Sequence, residues 1–361
     1  KDVDRAVEAA EAGFKVWSRI PAPKRAEVLF RAARILQERK EELAVLMTEE
    51  MGKVLPETRG DVQEAIDITN YAAGEGRRML GETTTSELKE KFCMTILRPI
   101  GVVGLITPWN FPIAIPAWKI MPALITGNAI VFKPASDTPL LAHKLVEVLI
   151  EAGLPPGVIN LVTGPGGTVG KAIVQHPRIN AISFTGSLDT GKWIMEECSK
   201  TMKRVSLELG GKNPVIVMDD ADLELALEGV LWGAFGTAGQ RCTATSRLIL
   251  HEKIKDEFIK RLLAKTKALS VGNGILPETD IGPVINKAQL EKIERYVRIG
   301  KEEGATLLFG GNRIDPGLPG YFFEPTIFTD VKPKMRIAQE EIFGPVLGIL
   351  TVSNLEEAIE V

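Results

Sequence analysis

Residues 101–112 read GVVGLITPWNFP, a short aliphatic run followed by an irregular segment that contains two prolines. We predict a strand over Val102–Thr107, because the prolines fix a loop directly after it. The next β-branched run is Ala129–Phe132, and a helical pattern over Thr138–Ala152 follows it. Strands and helices that alternate at this spacing predict parallel βαβ units in a doubly wound sheet.

The alternation continues over most of the chain. Further strands are predicted at Val158–Val162, Ala181–Phe184, Val205–Leu207, Val215–Met218 and Arg247–Leu250. Further helices are predicted at Thr168–Gln175, Thr190–Ser199, Asp222–Phe235 and Lys253–Ser270. N-terminal to them, apolar residues at spacings of three and four predict one long helix over Ala22–Met51 and another over about Asp61–Leu80.

Two segments interrupt this pattern and mark domain boundaries. Thr83–Leu97 is polar and β-branched, with several charged residues, and is typical of an exposed hairpin or arm. Such an arm either completes the surface of a neighbouring subunit or is a plain surface hairpin, and the sequence leaves both open. The glycine pair Gly210-Gly211 predicts a second boundary, so that the fold is α/β with two main domains.

Composition and charge argue against several classes of function. The chain has 44 basic and 47 acidic residues, a net charge of −3, and gives no reason to expect nucleic acid or an anionic membrane as a partner. No apolar run approaches the roughly 20 residues of a membrane span. Three dispersed cysteines indicate a reducing, cytoplasmic environment rather than a disulfide framework. The three histidines match no zinc-ligand spacing, and no metal is expected.

The stretch 239–244, GQRCTA, places Cys242 among small residues that leave room for a substrate at its sulfur. A cysteine attacks a carbonyl as a thiolate, and hydrolysis of the adduct needs a separate base. Glu208 in ELGGK is the candidate base, since the glycines beside it allow a ligand to approach closely. The ordinary alternatives are a small buried cysteine and a salt-bridged carboxylate at a strand end. Cys93 and Cys198 lack such surroundings and are interpreted as structural.

Four further motifs follow predicted strands or turns. Asn110 in PWNFP offers an amide that stabilises an oxyanion, or else bonds its own turn. Lys133 in FKPAS is either a ligand of ribose and phosphate oxygens or a solvated lysine. Ser187 follows Gly186 in a turn that opens a helix, where N–H groups bind phosphate. Glu341 in EEIFGP is either a ligand or part of an ordinary acidic turn.

In their order along the chain, these motifs resemble those of the NAD(P)-dependent aldehyde dehydrogenase superfamily. The resemblance extends over nearly the whole chain and implies the aldehyde dehydrogenase fold: a doubly wound Rossmann-like coenzyme domain, an α/β catalytic domain and a β oligomerisation arm. On the boundaries above, the coenzyme domain covers 1–82 and 99–210, the arm 83–98, and the catalytic domain 211–361. Family chains continue past Val361, so the resemblance also implies a catalytic domain that is incomplete at its C-terminus.

The resemblance assigns roles to the residues of these motifs. Cys242 is the nucleophile and Glu208 the base, while Asn110 and the backbone N–H of Cys242 form the oxyanion hole. The implied cofactor is NAD or NADP. Its implied contacts are Thr107, Pro108, Trp109, Lys133, Ser136, Gly186, Ser187, Glu341 and Phe343.

Within this implied cofactor site, Lys133 and Glu341 hold the riboses, Ser187 holds the pyrophosphate, and Phe343 lies against the nicotinamide. Ser136 stands where strongly NAD-selective members carry glutamate. A carboxylate there accepts a hydrogen bond from the ribose 2′-hydroxyl and repels a 2′-phosphate, and serine removes that repulsion. We therefore predict that both NAD and NADP are used.

The segments that flank the catalytic motifs narrow the substrate class. Residues 115–119 and 245–247 resemble α-ketoglutaric semialdehyde dehydrogenases and general aldehyde dehydrogenases. The predicted substrate residues are Phe111, Trp118, Arg241 and Thr243. The two aromatic side chains indicate an apolar tunnel wall, whereas the arginine either attracts an acidic substrate or faces outward.

The predicted reaction is the NAD(P)-dependent oxidation of an aldehyde, with a semialdehyde among the candidates, to a carboxylic acid. It proceeds through a cysteine thiohemiacetal and a thioester, and Glu208 activates the water that releases the acid. The expected partners are a small-molecule aldehyde and further copies of the chain in a homodimer or homotetramer. The alternative is an inactive fragment or a non-catalytic paralogue that retains the scaffold.

Overall fold

A computed structural model describes all 361 residues of the chain, which divide into two compact units. Unit 1 comprises Lys1–Leu46 and Arg59–Leu209, and unit 2 comprises Met47–Thr58 and Gly210–Val361. The segment Met47–Thr58 therefore interrupts the predicted range 1–82. Both of its ends lie within helices, which is why the sequence favours a contiguous first domain.

Four helices precede the first sheet: α1 Asp2–Trp17, α2 Ala22–Glu38, α3 Lys40–Met51 and α4 Leu55–Glu75. The prediction of one helix over 22–51 is wrong, because the backbone leaves the helical region at Arg39 (φ −102°, ψ 13°). The Arg39 guanidinium donates to the Glu151 carboxylate at 2.6 Å, and neither glycine nor proline marks the break in the sequence. No helix of the chain is long and apolar enough to cross a bilayer.

The segment 83–97 contains two short antiparallel strands, β1 Thr83–Thr85 and β2 Phe92–Met94, with Thr84 opposite Cys93. Apart from Cys93, all of these strand residues are exposed. A two-stranded hairpin is marginally stable by itself in water. The hairpin therefore contributes little to the core of unit 1.

Unit 1 is built on a parallel sheet that positions the candidate site. Its strands are β3 Val102–Ile106, β4 Ala129–Lys133, β5 Ile159–Leu161, β6 Ala181–Thr185 and β7 Arg204–Glu208. Its helices are α5 Ala114–Ile125, α6 Pro139–Glu151, α7 Lys171–Gln175 and α8 Leu188–Ser199. The strand order is β5-β4-β3-β6-β7, and β3 and β4 are buried throughout, as central strands covered on both faces are. The order reverses between β3 and β6, and open α/β sheets bind ligands beyond the carboxyl ends of strands at such a switch point.

Unit 2 contains a second, mixed sheet. Its strands are β8 Asn213–Val217, β9 Thr245–His251, β10 Thr306–Phe309, β11 Arg313–Ile314, β12 Phe322–Phe323, β13 Thr326–Thr329 and β14 Val346–Val352. The sheet order is β10-β13-β14-β9-β8, with only β10 antiparallel, while β11 and β12 form a separate hairpin. The helices are α9 Leu223–Phe235, α10 Lys255–Lys267, α11 Lys287–Glu302, α12 Arg336–Gln339 and α13 Leu355–Glu360. Leu248, Phe258, Phe328 and Leu347 lie fully buried in its core.

Candidate active site

A cleft of about 480 Å³ lies in unit 1 at the carboxyl ends of β3 and β6. Its lining residues are Ile106, Gly166, Gly167, Gly170, Lys171, Val174, Phe184, Asp189, Thr190, Trp193 and Ile194. The lining combines aliphatic and aromatic side chains with a glycine-rich turn and the first turn of α8. Such a surface has the apolar walls and few polar groups that a planar base and its phosphates need.

Ser187 caps the N-terminus of α8 beside this cleft. Its Oγ accepts a hydrogen bond from the backbone N–H of Thr190 at 3.4 Å and donates to the Thr190 hydroxyl at 2.9 Å. The remaining N–H groups of the first turn have no partner within the helix, and they favour an anion. A side chain at Gly186 would collide with the Phe184 ring, so this turn requires glycine. The geometry therefore suits a phosphate at the position that the sequence predicts.

Lys133 ends β4 with only 4% of its surface exposed, so the alternative of a solvated lysine is wrong. Its Nζ donates to the carbonyl of Pro134 at 2.7 Å, and burial lowers the pKa of the amine. The glycine-rich turn passes close by, since a Cβ added to Gly170 would lie 3.7 Å from Lys133 Cδ. Ser136 lies exposed on the loop that follows, where its hydroxyl donates to the carbonyl of Gly164 at 3.3 Å.

The loop between β3 and α5 carries Asn110, which is 3% exposed. The loop is anchored at both ends: Thr107 donates its N–H to the carbonyl of Lys133, and Asp61 accepts from the N–H of Ala114. The buried hydroxyl of Thr107 has no hydrogen-bond partner in the protein. Because buried polar groups are rarely unsatisfied, this hydroxyl fits a site that a ligand completes. Trp109 and Phe111 on the same loop are half-buried.

The Cys242 segment, residues 239–244, is part of unit 2, and the Cys242 side chain is partly exposed. The Asn213 amide donates to the Cys242 carbonyl at 2.6 Å and to the Ala244 carbonyl at 3.1 Å, which fixes the backbone after the thiol. Gly239 (φ +67°) packs against the carbonyl of Gly344, where any side chain would collide. The segment is thus rigid on both sides of its cysteine.

The two adjacent glutamates of EEIFGP have opposite surroundings. Glu340 binds Arg336 and the Tyr296 hydroxyl, and these contacts lower its pKa to about 2. Burial raises the pKa of Glu341, although the N–H of Gly211 and two nearby lysines oppose the shift. A Cβ at Gly210 would collide with the Glu341 carboxylate, which explains the first glycine of the pair. This packing also shows that Glu341 is not an ordinary surface acid.

Phe343 has a positive φ of 62°, which is uncommon for a bulky residue and usually persists only where the surroundings impose it. The Gln289 amide contacts this backbone directly, donating to the carbonyls of Ile342 and Phe343 at 3.0 and 2.7 Å. Strained backbone of this kind clusters at ligand-binding sites.

The whole chain, residues 1–361, matches the model of the aldehyde dehydrogenase family. The chain belongs to the aldehyde dehydrogenase family. Among its relatives, the α-ketoglutaric semialdehyde dehydrogenase of Bacillus subtilis is 46% identical over 100% of this chain and 74% of the relative. The 2,5-dioxopentanoate dehydrogenase of Saccharolobus solfataricus is 46% identical over 99% of this chain and 75% of the relative.

Solved structures give the same result for the fold. Betaine aldehyde dehydrogenase from Staphylococcus aureus in complex with NAD+ has a TM-score of 0.97 at 40% identity, covering 99% of this chain and 72% of that chain. A 3,6-anhydro-L-galactose dehydrogenase complex has a TM-score of 0.96 at 40% identity, covering 99% of this chain and 76% of that chain. Family membership confirms the predicted aldehyde dehydrogenase fold and the predicted oxidation of an aldehyde.

In this aldehyde dehydrogenase the arginine beside Cys242 does not face outward. Arg241 is 6% exposed, and its Nη2 donates to the carbonyls of Trp232 and Gly233 at 2.6 and 3.1 Å, at the C-terminal end of α9. Its guanidinium also lies 3.9 Å from the centroid of the Trp232 ring. Terminal helix carbonyls and a ring face are favourable partners for a buried cation. These contacts favour a structural role over the predicted attraction of an acidic substrate.

Two other predicted substrate residues, Trp118 and Thr243, have exposed side chains. Lys119, next to Trp118 on α5, is a residue that the sequence analysis missed. Burial lowers the pKa of its amine to about 8, and the attraction of Glu208 opposes that shift. Its Nζ also donates to the Ser183 hydroxyl at 2.9 Å. The signal for Lys119 in the sequence was a single lysine within the apolar run IPAWKIMP, residues 115–122. In the structure this lysine places a cation near the exposed Glu208.

Proposed function

We propose that this aldehyde dehydrogenase uses NAD or NADP to oxidise the semialdehyde of an α-keto dicarboxylic acid, such as α-ketoglutaric semialdehyde, to the dicarboxylic acid. The observation that carries the substrate class is the pair of relatives at 46% identity, because their two names describe the same five-carbon compound. A betaine aldehyde dehydrogenase of Bacillus subtilis is 44% identical to this chain, which is nearly the same identity. The two substrates therefore need to be compared directly on this protein. A cytoplasmic location, which the dispersed cysteines indicate, is part of the proposal.

The chemistry begins at Cys242. Its thiolate forms a C–S bond to the aldehyde carbon, and the amide of Asn110 and the backbone N–H of Cys242 donate to the oxygen that becomes negative. The bound dinucleotide supplies the acceptor for the hydride that leaves this carbon. Glu208 then takes a proton from water, the water oxygen bonds to the thioester carbon, and the thiolate of Cys242 leaves. The acid is released and the thiolate is restored.

Residues of each unit, taken separately, suit parts of the dinucleotide. The capped N-terminus of α8 at Ser187 suits the pyrophosphate, and the cleft beside it suits the adenosine. Lys133 and Glu341 hold the riboses, and the unsatisfied hydroxyl of Thr107 supports a contact there as well. Pro108, Trp109 and Phe343 border the nicotinamide in this proposal.

Homo-oligomers are also proposed. The β1–β2 hairpin exposes Phe92 and Met94 to 71% and 62%, and α9 exposes Trp232 to 65%. Large apolar side chains that remain exposed together are characteristic of interaction surfaces. Both surfaces support association with further copies of the chain, as a dimer or a tetramer.

The substrate proposal is tested with the full-length protein and a panel of aldehydes. We expect kcat/KM for α-ketoglutaric semialdehyde to exceed that for betaine aldehyde and for propanal by at least about tenfold, or about 1.4 kcal/mol. Equal values would remove the semialdehyde assignment and leave a general aldehyde dehydrogenase. No reduced cofactor with any aldehyde would favour the non-catalytic alternative.

The exposed serine at 136 predicts that both cofactors are used. No carboxylate at this position repels a 2′-phosphate, so we expect the KM for NADP to lie within about a hundredfold of that for NAD. Ser136→Glu should raise the KM for NADP at least about tenfold while changing that for NAD little, and Ser136→Ala is the matched control. A wild-type ratio above about a hundredfold contradicts dual use, since it means roughly 2.7 kcal/mol of discrimination.

A further inference from the structure

The turn directly before the Cys242 segment has an unfavourable backbone. Three consecutive residues have positive φ: Thr237 (54°), Ala238 (52°) and Gly239 (67°). Glycine adopts this region readily, but the β-branched Thr237 and Ala238 do not. Residues in such conformations persist only where the surrounding structure holds them. Something must therefore stabilise this turn.

Glu57, in the first turn of α4, makes the principal side-chain contacts to the turn. Its two carboxylate oxygens each accept from the backbone N–H of Thr237 at 2.9 Å, and Oε2 also accepts from the Thr237 hydroxyl at 2.8 Å. Hydrogen bonds to an ionised acceptor are stronger than those between neutral groups. Space is tight, since a Cβ added to Gly236 would lie 3.0 Å from Glu57 Oε1 and 2.9 Å from Arg241 Nη2.

From this turn the chain is held continuously as far as the nucleophile. The Gln240 side chain donates to the Thr237 carbonyl at 3.3 Å and accepts from the Ile285 N–H at 3.0 Å. Arg241 is bound to the end of α9, and Asn213 holds the Cys242 carbonyl. Only residues 238–241 separate Thr237 from Cys242, and hydrogen bonds hold both Gln240 and Arg241. We therefore expect a change in the conformation of Thr237 to shift the backbone at Cys242.

We infer that Glu57 is a positioning residue for the Cys242 thiol, because it holds the left-handed turn at Thr237 and Ala238 that sets the course of the segment. This inference rests on the proposed function, in which Cys242 is the nucleophile. Glu57 touches neither substrate nor cofactor in this assignment. It acts through Thr237, and its loss alters the reactivity of the thiol without removing any reacting group.

The first test is Glu57→Gln in the full-length protein, which keeps the side-chain volume but removes the charge and one acceptor. We expect kcat to fall at least about tenfold while the KM for NAD changes less than about twofold. The second-order rate constant for alkylation of Cys242 by iodoacetamide, followed by peptide mass spectrometry, should fall in parallel. Glu49→Gln is the matched control, since Glu49 is an exposed acid of the same segment, Met47–Thr58, and should behave like wild type.

A rescue variant separates positioning from general stability. Glycine at 238 adopts positive φ without penalty, so Ala238→Gly in the Glu57→Gln background should recover at least about threefold in the alkylation rate. If Glu57→Gln does not fold, Thr237→Ser and Thr237→Ala replace it: the serine keeps the hydroxyl donor to Glu57 and should alkylate faster than the alanine.

Wild-type values of kcat and of the alkylation rate in Glu57→Gln overturn the inference. A slowed alkylation rate that Ala238→Gly fails to improve also overturns it, because Glu57 then does not act on Cys242 through the left-handed turn. The failure of the proposed function looks different: the wild-type protein itself forms no reduced cofactor with any aldehyde. The alkylation comparison still reports on Cys242 in that case.

Discussion

Replacing Cys242 with serine is expected to lower kcat for aldehyde oxidation by a factor of about 10³ or more, and Cys242→Ala to abolish turnover. A serine hydroxyl is a far weaker nucleophile at neutral pH than a cysteine thiol, and the GQRCTA segment contains no base that could activate the hydroxyl. The measurement is the initial rate of NADH formation at saturating aldehyde and cofactor, together with the Kd for NAD from fluorescence titration. The Kd should stay within about threefold of wild type, because the thiol is not a cofactor ligand in this proposal.

Cys93→Ser is the matched control for this prediction. Cys93 lies in the exposed β1–β2 hairpin and Cys198 is buried in α8, so neither is expected to take part in the reaction. A Cys242→Ser protein that keeps more than about a tenth of wild-type activity would show that another group carries the acyl intermediate. Loss of activity in Cys93→Ser at an unchanged oligomeric state would point to the same conclusion.

The Glu208→Gln protein is expected to form NADH once per active site and then to stall. Thioester formation needs the thiolate and the oxyanion donors, whereas hydrolysis of the thioester needs a base to deprotonate water. Glutamine keeps the shape of the side chain but accepts no proton, so steady-state kcat should fall by about 10²–10⁴. Stopped-flow absorbance should show a burst of NADH with an amplitude close to the enzyme concentration, followed by a slow phase.

Glu196→Gln supplies the control, because Glu196 is an exposed acid on α8 in the same unit. It should show steady-state turnover like wild type. A Glu208→Gln protein with normal NAD binding but no burst would mean that Glu208 acts before hydride transfer. The division of roles between the thiol and the carboxylate would then have to be redrawn.

The sequence is sufficient to predict the parallel sheet of unit 1, because its strands are short runs rich in β-branched residues that end near glycine or proline. It is equally informative about the motifs on those loops, since local chemistry at a strand end is visible without knowing the rest of the fold. Asn110 and Ser187 lie on loops after strands that the sequence predicts, and Lys133 is the last residue of β4.

Features that depend on distant partners were not accessible in this way. The break at Arg39 has no breaker residue, and the buried state of Arg241 depends on the end of α9. Glu57 and Thr237 are 180 residues apart, so no local pattern connects them. Lys119 was missed for the same reason, because its link to Ser183 and Glu208 exists only once α5 packs on the sheet.

The hydrogen bond from Lys133 to the Pro134 carbonyl has a consequence for the thermodynamics of cofactor binding. A lysine side chain that is ordered from a mobile state loses roughly 1.5–2 kcal/mol of rotamer entropy. Lys133 is already confined to one conformation in the folded chain, at 4% exposure. In the proposed ribose contact, the Lys133 amine exchanges the Pro134 carbonyl for a ribose oxygen with little further ordering of its side chain. The loss of side-chain entropy therefore lowers the free energy of unfolding and does not weaken cofactor binding.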